Sequence, residues 1–121
     1  MDTIILYVAD PAVSVAFYAQ VLGQPPVEAS ANFAMFALES GVMLGLWRRS
    51  DVAPTPTATP GSGELAITLA SKDEVDARHA AWSERGWPIA QPPTDMDFGY
   101  TFVALDPDGY RVRVFKVHAP A

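Results

Sequence analysis

Residues 106–115, DPDGYRVRVF, decide the fold. The first four are turn formers: Pro presets its own φ, Asp bonds the backbone two residues on, and Gly accepts a positive φ. Beyond Tyr110 the side chains alternate, Arg111, Val112, Arg113, Val114 and Phe115, the pattern of a strand with two unlike faces. One face is aliphatic and buries readily. The other carries two arginines and a phenylalanine, and a small acidic protein needs a reason to aim them into a sheet.

Working outward, YTFVAL (100–105) runs into the turn as a second strand, and WPIAQ supplies another before it. ELAITLA (64–70) is a strand as well. KDEVDARHAAWSERG (72–86) reads as a helix with acids in its first turn, bases toward its end and Gly86 as the stop. The first half of the chain has the same order. TIILYVA (3–9) is a strand rich in β-branched residues, and DPAVSVAFYAQVLG (10–23) is a helix. In that helix Asp10 caps, Pro11 takes the first position, Val13, Phe17, Val21 and Leu22 give the apolar spacing, and Gly23 ends it. NFAMFAL (32–38) and VMLGLW (42–47) come next as strands joined by ESG.

Matching the helix stops aligns LGQPP (22–26) with RGWPI (85–89). Matching the turns aligns ALESGVMLGLW (37–47) with ALDPDGYRVRVF (104–115), with one inserted residue. The chain is therefore two copies of one βαβββ unit. Between them RRSDVAPTPTATPGS (48–62) has no periodicity and reads as a linker. The reading is one domain of 121 residues, with module 1 at 1–48, linker 49–62 and module 2 at 63–117.

Fourteen acidic against 8 basic residues give a net charge of −6, which argues against nucleic acid as a partner because phosphate binding needs a positive footprint. No apolar run approaches the roughly 20 residues of a membrane span. The start MDTIILYVAD lacks the basic and apolar regions of a signal peptide, and the chain has no cysteine. A cytoplasmic protein with a small-molecule partner is the expectation.

The opening YVADPAVSVAFYAQVLG, the paired βαβββ units and the DPDG-strand ending resemble the vicinal oxygen chelate superfamily, which includes glyoxalase I, extradiol dioxygenases and bleomycin-resistance proteins. The resemblance implies an α+β fold in which two βαβββ modules form a cup-shaped, barrel-like mixed sheet with the helices outside. It also implies that the positions matching the metal ligands of the family's enzymes are Thr3, Gly45, Glu64 and Arg113. Of these only Glu64 is a metal donor, and His79 and His118 fall elsewhere, so no metal and no other cofactor is expected.

Placing those four positions on the cavity face sets their neighbours by alternation. Tyr7, Met43 and Trp47 then join Gly45 on one side, and Arg111 and Phe115 join Arg113 and Glu64 on the other. The opposite set, from Ile4, Leu6 and Val8 to Val112 and Val114, is aliphatic core. Such a cavity suits a planar, partly polar organic molecule. Trp47, Tyr7, Phe115 and Tyr100 offer rings, Met43 adapts in shape, and Gly45 leaves room beside Trp47. Arg113 has two readings, a hydrogen-bond donor to a ligand or the partner of Glu64 in an ion pair closing the cup. Arg111 reads as rim, Trp82 as core, Trp87 as partly exposed, and Asp106 and Asp108 as turn residues.

VMLGLW, the Pro-rich linker and PPTDMDFGYTFVALDPDG together are similar to the metal-free phenazine-antibiotic-binding resistance proteins of the superfamily. There a tryptophan matching Trp47 stacks on a tricyclic drug at a dimer interface. The resemblance implies sequestration of an aromatic antibiotic or related metabolite, no catalytic residue, and a homodimer with module exchange. The rival is a lyase, isomerase or dioxygenase-like enzyme with an atypical or absent metal site. A fold kept for protein interaction is a third reading.

Overall fold

The structure, a computed structural model, describes residues 2–119. The chain divides into two compact units, Met1–Pro60 and Gly61–Ala121. Each carries its own four-stranded mixed sheet and one helix, an α+β arrangement. The α+β arrangement of two βαβββ modules expected from the sequence is formed, and among the described residues the strands pair into two four-stranded sheets that no ladder closes into a barrel.

In the first unit β1 (Thr3–Val8) leads into α1 (Pro11–Leu22), then β2 (Glu28–Ala29), β3 (Phe33–Ala37) and β4 (Met43–Arg48). The sheet order is β1-β4-β3-β2, with β1 parallel to β4 and the other neighbours antiparallel. Asp10 caps α1 by accepting from the Ala12 N–H at 3.0 Å, and Gly23 ends it in the left-handed region at φ 68°. The buried stripe of α1 is Pro11, Ser14, Phe17, Tyr18 and Val21. Val13, expected on that stripe, is half exposed, because the packed face is set by Pro11 and Ser14 one turn apart rather than by the apolar residue between them. Val8, Ala34, Phe36, Leu44 and Leu46 are buried, as the alternation requires. Ile4 shares their parity yet is 56 % exposed, since β1 is the sheet's edge strand.

The second unit repeats the order with β5 (Glu64–Thr68), α2 (Lys72–Glu84), β6 (Ile89–Met96), β7 (Gly99–Leu105) and β8 (Arg111–Val117), arranged β5-β8-β7-β6. Ser71 caps α2 by accepting from the Glu74 N–H at 3.2 Å, while the Glu74 carboxylate accepts from the Ala70 N–H. Acids occupy the first turn as expected, but the last turn holds no base, since Arg85 falls at the cap beyond it. Val75 and Trp82 are buried, and the Trp82 ring lies edge-on to Phe102 at 5.4 Å and beside Trp87 at 5.2 Å.

The repeat holds at the level of register. Thr3, Ile5 and Tyr7 face Met43, Gly45 and Trp47, and Glu64, Ala66 and Thr68 face Arg111, Arg113 and Phe115. The two turns match without the insertion that the sequence alignment needs. Leu38 donates to the Val42 carbonyl and Gly41 to Leu38, as Asp106 donates to Tyr110 and Gly109 to Asp106. Gly41 and Gly109 both have positive φ, 91° and 87°. Asp106 is 4 % exposed, and its Oδ1 accepts from the N–H groups of Asp108 and Tyr110, so it serves the turn.

The linker starts with a short 3-10 turn, Arg49–Asp51, and buries Val52. Arg49 donates to the Ala58 carbonyl at 3.0 Å. Among the described residues no helix is long and apolar enough to cross a membrane.

Candidate functional site

Cross-strand partners share a face, so the ladder of the second unit sets its site. Val103 faces Arg113, Thr101 faces Phe115 and Gln91 faces Val103. At the centre is Arg113, whose Nε donates to Glu64 Oε1 at 2.7 Å. Its Nη1 donates to Thr101 Oγ1 at 3.3 Å and, more loosely, to Gln91 Oε1 at 3.5 Å. Thr101 is buried and donates its own hydroxyl hydrogen to the Val114 carbonyl at 2.9 Å, so its oxygen has a lone pair for the guanidinium. Of the two readings of Arg113 the ion pair with Glu64 is therefore formed.

The guanidinium also lies 5.8 Å from the centre of the Phe98 ring, which meets Phe115 edge-on at 5.9 Å. Phe98 sits at the tight turn between β6 and β7, where Met96 pairs with Gly99. Beside this cluster is an open pocket of about 280 Å³ lined by Ala90, Gln91, Met96, Val103, Arg111 and Arg113. Apolar walls with two guanidinium groups at one side favour a small organic molecule carrying acceptor groups.

In the first unit the corresponding face is aromatic at its Trp47 end, with Glu28 sharing it at the β2 edge. Trp47 pairs with Tyr7 on one side and Phe33 on the other. The Tyr7 and Trp47 rings meet edge-on, 6.4 Å apart at 81°. Trp47 is half-buried at the end of its strand, whereas Met43 is 8 % exposed and belongs to the core more than to a wall. The room expected beside Gly45 is taken. A Cβ there would stand 3.1 Å from Phe33 Cζ and 3.2 Å from Ile5 Cγ1, so Phe33 lays its ring where a larger residue would project.

Tyr100 is a correction. It faces Lys116 on the helix side of the second sheet, and its hydroxyl donates to Asp76 of α2 at 2.6 Å. That bond, then loss of water, then the charges of Asp76 and Asp95 push its pKa up to about 12. The side chain joins helix to sheet, on the opposite face from Arg113.

The family's metal positions do not fit a metal in this chain. Gly45 has no donor, Thr3 offers a hydroxyl, Arg113 is a cation, and the carboxylate of Glu64 is held by that cation. His79 contacts the Ser83 hydroxyl and His118 the Met96 carbonyl. Among the described residues no group of three or more His, Cys, Asp or Glu side chains is placed to hold an ion.

A repeated βαβββ unit with parallel outer pairs, a DPDG turn and an aromatic face defines a recognisable class. The chain belongs to the glyoxalase/bleomycin resistance protein/dioxygenase superfamily, whose sequence pattern matches residues 1–114. It is 28 % identical over 115 residues to the phenazine antibiotic resistance protein EhpR of Enterobacter agglomerans, covering 91 % of this chain and 86 % of that one. The solution structure of ATC0852 from Agrobacterium tumefaciens superposes with a TM-score of 0.84 at 42 % identity, over 98 % of this chain and 97 % of the other. A superfamily member from Nocardioides gives 0.81 at 24 % identity, over 99 % and 84 %, a likeness of fold alone.

Sequence reasoning misses Phe33, Gln91, Met96, Phe98, Thr101 and Val103. Phe33 is available from alternation along β3. Thr101 and Val103 are available in the same way along β7, and Gln91 from the strand WPIAQ, whereas Met96 and Phe98 lie beyond PPTD, where Pro cannot donate to a ladder and the strand pattern is interrupted. Here β6 is the edge strand and its pairing shifts register between Gln91 and Thr94, which accommodates Pro92 and Pro93.

Proposed function

We propose that the protein binds and sequesters a planar aromatic small molecule, without metal and without chemistry, and that the ligand is an antibiotic or metabolite of the phenazine type. The observation that carries this reading is Trp47, a half-buried indole at a strand end, edge-on to Tyr7 and paired with Phe33. An indole there presents a broad apolar surface, and its stacking needs no charge on the ligand. The relative EhpR, named for phenazine antibiotic resistance, supports the ligand class. The donor chemistry of Thr3, Gly45, Glu64 and Arg113, with the one carboxylate held by a guanidinium, supports binding without a metal.

The reading includes a homodimer in the cytoplasm with modules exchanged between chains. The edge strand β1 supports it, because Ile4, Ile5 and Tyr7 leave apolar surface on both faces of a strand with one free side. Light scattering at micromolar concentration is expected to give twice the chain mass, and a monomer mass contradicts it. Titrating tryptophan fluorescence with phenazine, beside elemental analysis of the dialysed protein, tests the function. Saturable quenching without stoichiometric metal is expected. No quenching, or about one tightly held ion per chain, overturns the reading.

A further inference from the structure

Of the methionines among the described residues, Met43 is buried and Met35 half-buried, while Met96 is 39 % exposed at the end of β6. Met96 also lines the open pocket of about 280 Å³ in the second unit. Its backbone is held in place, since Met96 pairs with Gly99 across the tight turn and its carbonyl accepts from His118 Nε2 at 3.0 Å. Its thioether is met by Gln91, whose Nε2 donates to the sulfur at 3.5 Å. Arg113 fixes the direction of that amide. A guanidinium only donates, so Gln91 turns its oxygen toward Arg113 Nη1, at 3.5 Å, and its N–H groups toward Met96.

A thioether sulfur is a weak acceptor, and an amide N–H aimed at it is better matched to an oxygen carried on that sulfur. We propose that Met96 is a redox-responsive residue, oxidised by hydroperoxides to its sulfoxide, and that the new oxygen is held by the Gln91 amide at the pocket wall. In the step a sulfur lone pair attacks one oxygen of hydrogen peroxide, the S–O bond forms as the O–O bond breaks, and the departing hydroxide takes the proton left on the transferred oxygen to become water. The sulfur loses two electrons and the peroxide gains them. Arg111 and Arg113 line the same pocket, so the hydroxide departs beside groups that favour negative charge. The unbranched Met96 side chain turns freely enough to carry the oxygen to Gln91. Oxidation thus converts an apolar wall into a polar one tied through Gln91 to Arg113, and methionine sulfoxide reductases can reverse it. The site lies wholly in the second unit and does not depend on Trp47 or on the identity of a ligand.

The test treats the full chain with dilute hydrogen peroxide and follows each methionine by tandem mass spectrometry, with NMR spectra of the side-chain amides recorded before and after. Met96 is expected to gain one oxygen about tenfold faster than Met35 or Met43, because susceptibility follows exposure of the sulfur, and the Gln91 amide signals are expected to shift as it does. In Met96→Leu peroxide is expected to leave those signals unmoved. In Gln91→Leu, Met96 is still expected to oxidise, with a larger fall in melting temperature on oxidation than in the wild type. Methionine sulfoxide reductase with a thiol reductant is expected to restore the starting spectrum. The two wild-type measurements decide the proposal whether or not the variants fold. Oxidation of Met35 or Met43 as fast as Met96 overturns it, as does a Met96 sulfoxide that leaves the Gln91 amide signals where they were.

Discussion

Glu64 bonds to Arg113 and not to Arg111, although Arg111 is its partner across the β5–β8 ladder. Burial decides the choice: the Arg113 side chain is 16 % exposed and would suffer most from being left unpaired, while Arg111 keeps its hydration. Glu64 is itself about one-third exposed, so solvent screens part of the attraction. Glu64→Gln keeps an acceptor for the Nε–H but removes the charge. It is expected to cost about 1 kcal/mol of folding free energy, between the values for exposed and buried pairs. Urea unfolding at neutral pH measures it, and a change above about 3 kcal/mol would mean that the pair is effectively dry.

Gly99 is expected to be intolerant of any side chain. A Cβ there would overlap the Lys116 carbonyl oxygen, which is backbone and cannot rotate aside, so β7 and β8 would have to part at that point. Gly99→Ala should destabilise by about 1–3 kcal/mol, the range for overpacking, whereas Gly63→Ala, with nothing within 4 Å of its Cβ, should change little. Melting temperatures of the two variants check this, and equal values would contradict the close approach.

Tyr100 predicts an alkaline limb to stability. Its pKa is pushed from 10.0 up to about 12 in the folded protein, chiefly by the hydrogen bond to Asp76. The fold thus favours the neutral phenol. That contribution is complete below pH 10, where the unfolded chain also keeps its proton, and is lost as pH rises through about 12. Tyr100→Phe removes it, so the variant's stability should fall less steeply than the wild type's across this window. Chemical unfolding at a series of pH values compares the slopes, and parallel curves would show that the phenol is not shielded.

Much of this fold is legible because two copies of one pattern correct each other. Asp10-Pro11 and Gly23 mark one helix, Gly86 the end of the other, and the two Gly turns fix which strand positions correspond. Alternation then places Arg113, Phe115 and Trp47 on the face away from the aliphatic core. What it cannot show is which pairs meet: Glu64 lies in one strand and Arg113 in another, and only the ladder brings them to 2.7 Å. Tyr100 is misplaced by the sequence reading because it precedes Thr101 by one residue, and one residue is the whole difference between the two faces of a strand. Met96 and Phe98 are hidden by the prolines of β6, whose edge position is a property of the sheet and not of the segment.

The measurement that tests the central claim is calorimetric titration of the wild type and Trp47→Ala with phenazine, with melting temperatures recorded for both and for Trp82→Ala. If Trp47 is a binding surface, its loss should weaken binding by about 1–3 kcal/mol, or roughly 5- to 150-fold. Its stability should suffer much less than that of Trp82→Ala, where a buried indole is lost and about 3–5 kcal/mol is expected. Unchanged affinity in Trp47→Ala, with a fall in melting temperature like that of Trp82→Ala, would return Trp47 to the core and contradict the account.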